Sequence, residues 1–252
     1  MTPTLDLVLG LTGLNKTVLA HRLAAAAPRP CPVVAWDRIQ CYRELAIGSN
    51  RPVGERVVGV RRLYLDTGRL TDGPIEPEPA VDRFLQLQRR LLEEGANTLV
   101  VEGGSISLTR ELLARTAWSA GWRIRVTLCV ERSAARYEAG IAARVERMLG
   151  YHARPGEVRT LQQELAELWD DPRARKHADG VLGYRQAIEL CELQGLTPHE
   201  LAGPPGHLWR SELAEAVRDS HLDYARQQRR ALAQARPALL ELAGGRIEWC
   251  ER

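Results

Sequence analysis

An unbroken apolar run that stops at a glycine-rich turn and restarts as a helix leaves a chain few folds to adopt. Residues 5–10, "LDLVLG", lead into "GLTGLNKT" (10–17) and then "TVLAHRLAAAA" (17–27). The apolar residues of the first segment run together instead of alternating, which predicts a strand buried on both faces, as in a parallel sheet. The turn nearly fits the phosphate-loop pattern G-x-x-x-x-G-K-S/T: Gly10, Lys16 and Thr17 match, and Asn15 stands where the second glycine is expected. Such a loop points successive backbone N–H groups at an anion, the helix N-terminus adds positive potential, the lysine adds a charge, and the hydroxyl can ligate Mg²⁺. Asn tolerates left-handed backbone angles best among ordinary residues, at a cost of about 1 kcal/mol. The loop specifies a polyphosphate binder and does not separate a kinase from another transferase.

The rest of the first half repeats the strand-then-helix rhythm. "PVVAW", "TLVVEGG" and "WRIRVTLCV" read as strands, and "AVDRFLQLQRRLLEEGAN" and "SLTRELLARTAWSAG" as helices. This alternation predicts an α/β fold, a P-loop NTPase-like parallel sheet flanked by helices. After residue 131 the segments "SAARYEAGIAARVERMLG", "EVRTLQQELAELWDD", "GVLGYRQAIELCELQG" and "SELAEAVRDSHLDYARQQRRALAQA" are all helix-like, a mainly helical C-terminal lobe. The expected division is an α/β core over 1–130, a helical lobe closing over the site over 131–240, and a tail over 241–252, in which "GGRIEWCE" is a last short strand or a tail.

Composition narrows the class further. Hydrophobic residues make up 44% and charged residues 27%, ordinary for a soluble globular chain. No apolar stretch approaches the roughly 20 residues that span a bilayer, and the N-terminus lacks a basic stretch before a short apolar run, so the expectation is a cytoplasmic protein without membrane contact. Five scattered cysteines show no C-x-x-C spacing and suit a reducing compartment. A formal net charge of +3 is too small to argue for nucleic acid by charge alone.

One carboxylate stands out. In "VVAWDRIQCYRELAIGSNRP", Asp37 lies just past the second strand, at the carboxyl-end crevice where open parallel sheets bind ligands. There it can accept a proton from an amine; the alternative is an ordinary turn Asp. Trp36 should face the opposite side of the strand, and Cys41 reads as a small buried residue.

The segments "GLTGLNKT", "WDRIQCYRELAIGSNRP", "RRLYLD", "VVEGGSISL", "QELAELWDDPRAR" and "GYRQAI", in this order from about residue 5 to about residue 230, resemble the isopentenyltransferase family. Within it the likeness is to bacterial adenylate dimethylallyltransferases, the cytokinin-forming enzymes, with tRNA dimethylallyltransferases as relatives. The resemblance implies that the loop holds the diphosphate of a prenyl donor, with Gly13, Leu14, Asn15, Lys16 and Thr17 cradling it and Thr17 near Mg²⁺. It implies Thr12 near the reacting carbon and bridging oxygen, and Asp37 as the general base for an adenine N6 amine. Ser49, Arg51, Glu102, Gly103, Gly104 and Ser105 fall in segments expected to line the nucleotide pocket. The expected substrates are a prenyl diphosphate and an adenine nucleotide, AMP first among them. A tRNA acceptor and a P-loop kinase remain as alternative readings.

The sequence departs from the family at four places. Asn15 replaces Gly. Leu182 stands where adenylate-type relatives carry an Asp that helps hold the adenine, a feature resembling the tRNA-modifying branch. His221 and Tyr224 occur in exchanged order on one helix, and both are expected at the donor diphosphate or its prenyl end. The arginine expected over the diphosphate is Arg144 or Arg154, with His152 in the same ambiguous stretch. The short chain and small net charge favour a nucleotide acceptor over RNA. The oligomeric state stays open, a monomer included.

Overall fold

A computed structural model describes residues 2–29, 31–52, 56–57, 60–151 and 159–251. The strands are β1 (Thr4–Gly10), β2 (Val33–Trp36), β3 (Arg56–Val57), β4 (Val60–Tyr64), β5 (Thr98–Gly103), β6 (Arg123–Val130) and β7 (Ile247–Glu251). The helices are α1 (Lys16–Ala25), α2 (Ala46–Ser49), α3 (Pro77–Glu93), α4 (Ile106–Ala114), α5 (Ala134–Met148), α6 (Leu161–Leu168), α7 (Pro172–Ala178), α8 (Tyr184–Gln194), α9 (Pro198–Ala202) and α10 (Arg210–Leu242). The strands form one sheet in the order β3-β4-β2-β5-β1-β6-β7, parallel throughout except for the antiparallel β3–β4 pair at one edge.

The unbroken apolar runs land where a buried parallel sheet needs them. Every residue of β1, β2 and β5 is buried, because helices cover both faces of such a sheet. Trp36 points into the core, its ring edge-on to Phe84 at 5.0 Å and its Nε1 donating to Thr109 Oγ1 at 3.1 Å. A ring pair of this kind adds about 0.5–1.5 kcal/mol beyond its burial. Locking Trp36 inward turns the next residue, Asp37, toward the crevice. Cys41 is fully buried, as its small apolar side chain predicts.

Several boundaries differ from the sequence reading. The helix expected over 107–121 stops at Ala114; beyond it the chain turns through Ala117 at φ 55°, which lets Trp118 and Trp122 pack as buried residues. "RRLYLD" contributes β4, whose short run of charged and apolar residues carries little strand signal. Helix α7 was also missed, although Asp171 caps it by accepting the N–H groups of Arg173 and Ala174 and Pro172 opens it. Helix α10 runs 33 residues straight through Pro237. Both Pro237 and Ala233, whose carbonyl loses its helical partner, are exposed, so the interruption lies on the solvent side. "GGRIEWCE" is a strand: β7 pairs in parallel with β6 from Val126↔Ile247 to Val130↔Glu251.

One continuous apolar core joins the sheet to the helical lobe, with Leu161, Leu165, Tyr184, Leu213 and Val217 belonging to the same cluster as Leu7 and Val101. A polar pillar stands beside it. Glu164, fully buried on α6, accepts the Tyr184 hydroxyl and the Ile47 N–H, the latter at 3.0 Å, while the Tyr184 hydroxyl oxygen accepts the Gly48 N–H at 3.2 Å. The lobe thereby fixes α2, which carries Ser49 and Asn50 to the rim of the crevice. Among the described residues, no helix is long and apolar enough to cross a membrane.

Candidate active site

The carboxyl ends of β1, β2 and β5 lie side by side: Leu9 and Trp36 are both in register with Gly103. The glycine-rich loop, Asp37 and the turn after β5 therefore open into one space, a cavity of about 550 Å³.

The loop curls through two left-handed residues, Gly13 at φ 78° and Asn15 at φ 50°, ψ 33°. Asn15 takes the conformation that the missing glycine would have taken, and α1 starts at the next residue. A side chain at Gly13 would meet Ile141 Cδ1 at 2.6 Å, so this position is closed to larger residues from the lobe side as well. Lys16 Nζ donates to the Leu11 carbonyl at 2.5 Å, across the loop. Burial holds the Lys16 pKa below its ordinary value, opposed by the nearby Glu102 carboxylate.

The helical lobe reaches this loop through three side chains. Arg144 Nη1 on α5 donates to Thr12 Oγ1 at 3.0 Å, Tyr137 Oη donates to the Thr12 carbonyl at 2.9 Å, and Gln228 Oε1 on α10 accepts the Thr12 N–H at 2.8 Å. Thr12 is thus held at its N–H, its carbonyl and its hydroxyl. Asp37 Oδ1 accepts the Ile39 N–H at 2.9 Å. Burial raises the Asp37 pKa above the ordinary carboxylate value; backbone N–H groups of Ile39 and Gln40 and the charge of Arg144 pull it down. Burial lowers the pKa of Arg144, with Asp37 pulling it back up.

On the other wall, Thr17 Oγ1 donates to Glu102 Oε1 at 3.1 Å. The same carboxylate oxygen pairs with buried Arg62 at 2.5 Å, and Arg62 Nη2 also donates to Gln40 Oε1 at 2.9 Å. Glu102 is anchored from the sheet side and presents its Thr17 contact to the cavity. Ser105 caps α4, its hydroxyl accepting the Leu108 N–H at 3.4 Å. Four cations, Lys16, Arg38, Arg144 and Arg147, face two carboxylates, Asp37 and Glu102, around the cavity. An excess of positive charge beside a ring of loop amides suits a polyphosphate.

Of the residues singled out from the sequence, Thr12, Gly13, Asn15, Lys16, Thr17, Asp37, Ser49, Glu102, Gly103, Gly104, Ser105, Arg144 and Tyr224 line this cavity. Leu14, Arg51, Leu182 and His221 do not. Leu14 is buried behind the loop in the apolar core. Arg51 grips the backbone instead: Nη1 donates to the carbonyls of Gln40 and Cys41 at 2.5 and 2.9 Å, and the guanidinium lies 3.7 Å from the centre of the Tyr64 ring. Leu182 lies in the turn before α8. His221 is buried inside the lobe, a ring nitrogen 2.9 Å from the Val217 carbonyl, and burial together with nearby Arg144 pulls its pKa down to about 4. His221 and Tyr224 share a helix face, but only Tyr224 extends to the cavity; burial pushes its pKa up to about 12. Arg154 and His152 lie outside the described residues.

Arg147, Gln40 and Gln228 also line the site, and the sequence reading passed over all three. Gln228 carried a usable signal, since it lies four residues after Tyr224 and so one helical turn along the same face. It was hidden inside "RQQRR", which reads as a solvated basic face.

The family model for isopentenyl transferase matches residues 3–241. An adenylate dimethylallyltransferase of Rhizobium radiobacter is 34% identical over 227 residues, covering 89% of this chain and 90% of its own. One from Agrobacterium fabrum (strain C58) is 34% identical over 234 residues, with 91% of both chains covered. Among solved structures, a tRNA delta(2)-isopentenylpyrophosphate transferase from Staphylococcus epidermidis superposes with a TM-score of 0.70 at 14% identity, covering 99% of this chain and 93% of the other. The full-length tRNA isopentenylpyrophosphate transferase of Bacillus halodurans gives a TM-score of 0.68 at 13% identity, covering 98% and 89%. At such identity these two structures speak for the fold. With the family model spanning nearly the whole chain and relatives a third identical along it, the protein belongs to the isopentenyl transferase family.

Proposed function

We propose that the protein transfers a dimethylallyl or related prenyl group from its diphosphate to N6 of an adenine nucleotide, with AMP as the acceptor. The observation that carries this reading is the meeting of Asp37 and Thr12 in one cavity, with cations from the loop and from α5 on the same walls. The two relatives named above act, by their names, on adenylate.

The donor diphosphate lies in the loop, its oxygens facing the backbone N–H groups of 13–17, Lys16 and Arg144. Arg144 already contacts Thr12, so lobe and loop close on the leaving group together. The adenine lies toward Asp37, Ser49 and the turn at Gly103–Ser105. N6 attacks C1 of the prenyl group, forming the N6–C1 bond as the C1–O bond breaks, and diphosphate departs with the electron pair. The Asp37 carboxylate takes the N6 proton; such a base contributes about 10²–10⁴-fold. Its raised pKa makes it a better proton acceptor than an exposed Asp, while the backbone N–H groups of Ile39 and Gln40 and the charge of Arg144 favour its ionised form.

Mg²⁺ fits this cavity as a partner of the diphosphate. Thr17 Oγ1 and the Glu102 carboxylate offer hard oxygen donors on one wall, and among the described residues no cluster of three His, Cys, Asp or Glu forms a cage of its own. Mg²⁺ is commonly held by one or two protein oxygens plus substrate phosphates. When bound, it supplies charge neutralisation to the diphosphate oxygens.

The test is a product assay with purified protein, Mg²⁺ and dimethylallyl diphosphate, offering AMP, ADP, ATP and an anticodon stem-loop in parallel and reading the prenyl mass gain. Prenylated AMP is the expected product. Product on the stem-loop alone would reassign the acceptor to RNA, and γ-phosphate transfer from ATP without any prenylation would reassign the reaction class.

A further inference from the structure

A second, apolar space lies behind the polar cavity. It is a groove of about 260 Å³ between α4 and the second half of α10, walled mainly by Ile106, Leu113, Ala231 and Leu232, with Arg110 and Gln234 also on its lining. Gly104, Ser105 and Gln228 line both spaces, so they form the partition between them. The Gln228 side chain closes that partition. It is 3% exposed, with Oε1 on the Thr12 N–H at 2.8 Å and Nε2 on the Gly104 carbonyl at 2.7 Å. It also packs hard against the turn: a carbon on Gly104 would come within 2.4 Å of Gln228 Nε2.

We propose that Gln228 is a specificity-determining residue that limits donor length, and that the groove it closes off accepts the extra carbons of a longer prenyl chain once the side chain is shortened. The inference rests on the prenyl diphosphate reading given above. A group carried on a diphosphate in the loop starts beside Thr12. From there the apolar groove lies across the partition that the Gln228 carboxamide shares with Gly104 and Ser105. A chain that pushed the carboxamide aside would strip the Thr12 N–H and the Gly104 carbonyl of their partners, which opposes entry. On the groove side, alanines at 231, 235 and 238 leave hydrocarbon-lined room along one face of α10.

Wild type, Gln228→Ala and Gln228→Met are compared with AMP and either dimethylallyl or geranyl diphosphate. Both variants lose the hydrogen bonds to Thr12 and Gly104, but only the alanine opens the partition. The geranyl-to-dimethylallyl ratio of kcat/KM should rise about tenfold or more in Gln228→Ala, the scale of discrimination that a hydrophobic pocket provides. In Gln228→Met, whose side chain still fills the partition but is no longer held by hydrogen bonds, it should rise clearly less than in Gln228→Ala. Where turnover in a variant is too low to measure, the same ratio is taken from calorimetric Kd values of the two diphosphates. Equal ratios in the two variants, or no change from wild type, would overturn the partition while leaving the prenyl transfer reading intact. If wild type prenylates nothing with either donor, that reading fails and the partition fails with it.

Discussion

The guanidinium of Arg144 donates to the hydroxyl of Thr12 at 3.0 Å, linking α5 of the helical lobe to the loop at the end of β1. The link ties the lobe to the loop directly, through a side chain and not through the sheet. It places a partly buried cation beside the loop in which the proposed donor diphosphate would lie.

Arg144→Ala should lower kcat/KM for dimethylallyl diphosphate about 10²-fold, the usual consequence of removing one charge-stabilising donor. Arg144→Lys should recover part of that loss, because an ammonium restores charge without the planar fork. Steady-state kinetics with varied donor concentration would check this. An unchanged donor response in the alanine variant would remove Arg144 from the diphosphate site.

Asp37→Asn should lower kcat about 10²–10⁴-fold with the fold intact. In the proposed reaction the carboxylate must be ionised to take the N6 proton, and burial raises its pKa above the ordinary 3.8. Activity should therefore fall as pH drops through that raised value, at a pH higher than an exposed Asp would give. A pH–rate profile of kcat/KM would show the acid limb, and the limb should vanish from the residual activity of the Asn variant.

Asn15 marks where a glycine loop tolerates replacement. Asn15→Gly should keep donor use, since glycine adopts φ 50° without strain. Asn15→Val should cost about 1–2 kcal/mol in urea unfolding, because a β-branched side chain resists the left-handed region. It should also weaken donor binding, as the amides of the loop lose their alignment.

His221 should make the protein acid-sensitive. Its folded pKa of about 4 lies below the ordinary 6.5, so the unfolded chain takes up the proton first as pH falls. Stability is undiminished above 6.5 and is lost progressively between 6.5 and about 4. The loss on going from neutral pH to about pH 4.5 should be roughly 2–3 kcal/mol larger in wild type than in His221→Asn. Urea titrations at the two pH values measure the difference, and equal losses would show that burial of this ring does not govern the acid response.

Much of this protein follows from local pattern. The apolar run before Gly10 reads as a strand buried on both faces, and β1 is buried at every residue in the parallel sheet. The position of Asp37 one residue past β2, and of Glu102 to Ser105 at the end of β5, places both at the ligand-binding edge of such a sheet. Asn15 could be expected to turn left-handed because few other side chains can. What local pattern could not supply is which distant side chains meet there. Gln228 is 216 residues from Thr12, and Arg144 is 132 residues from it. Arg51 and His221 show the same limit from the other side: their residue types suit a substrate pocket, but packing assigns one to backbone carbonyls and the other to the lobe interior. Strand, turn and helix are decided by neighbours within a few residues. The walls of the cavity are decided by how α5 and α10 pack over the sheet, and that choice is made by burial of the whole core.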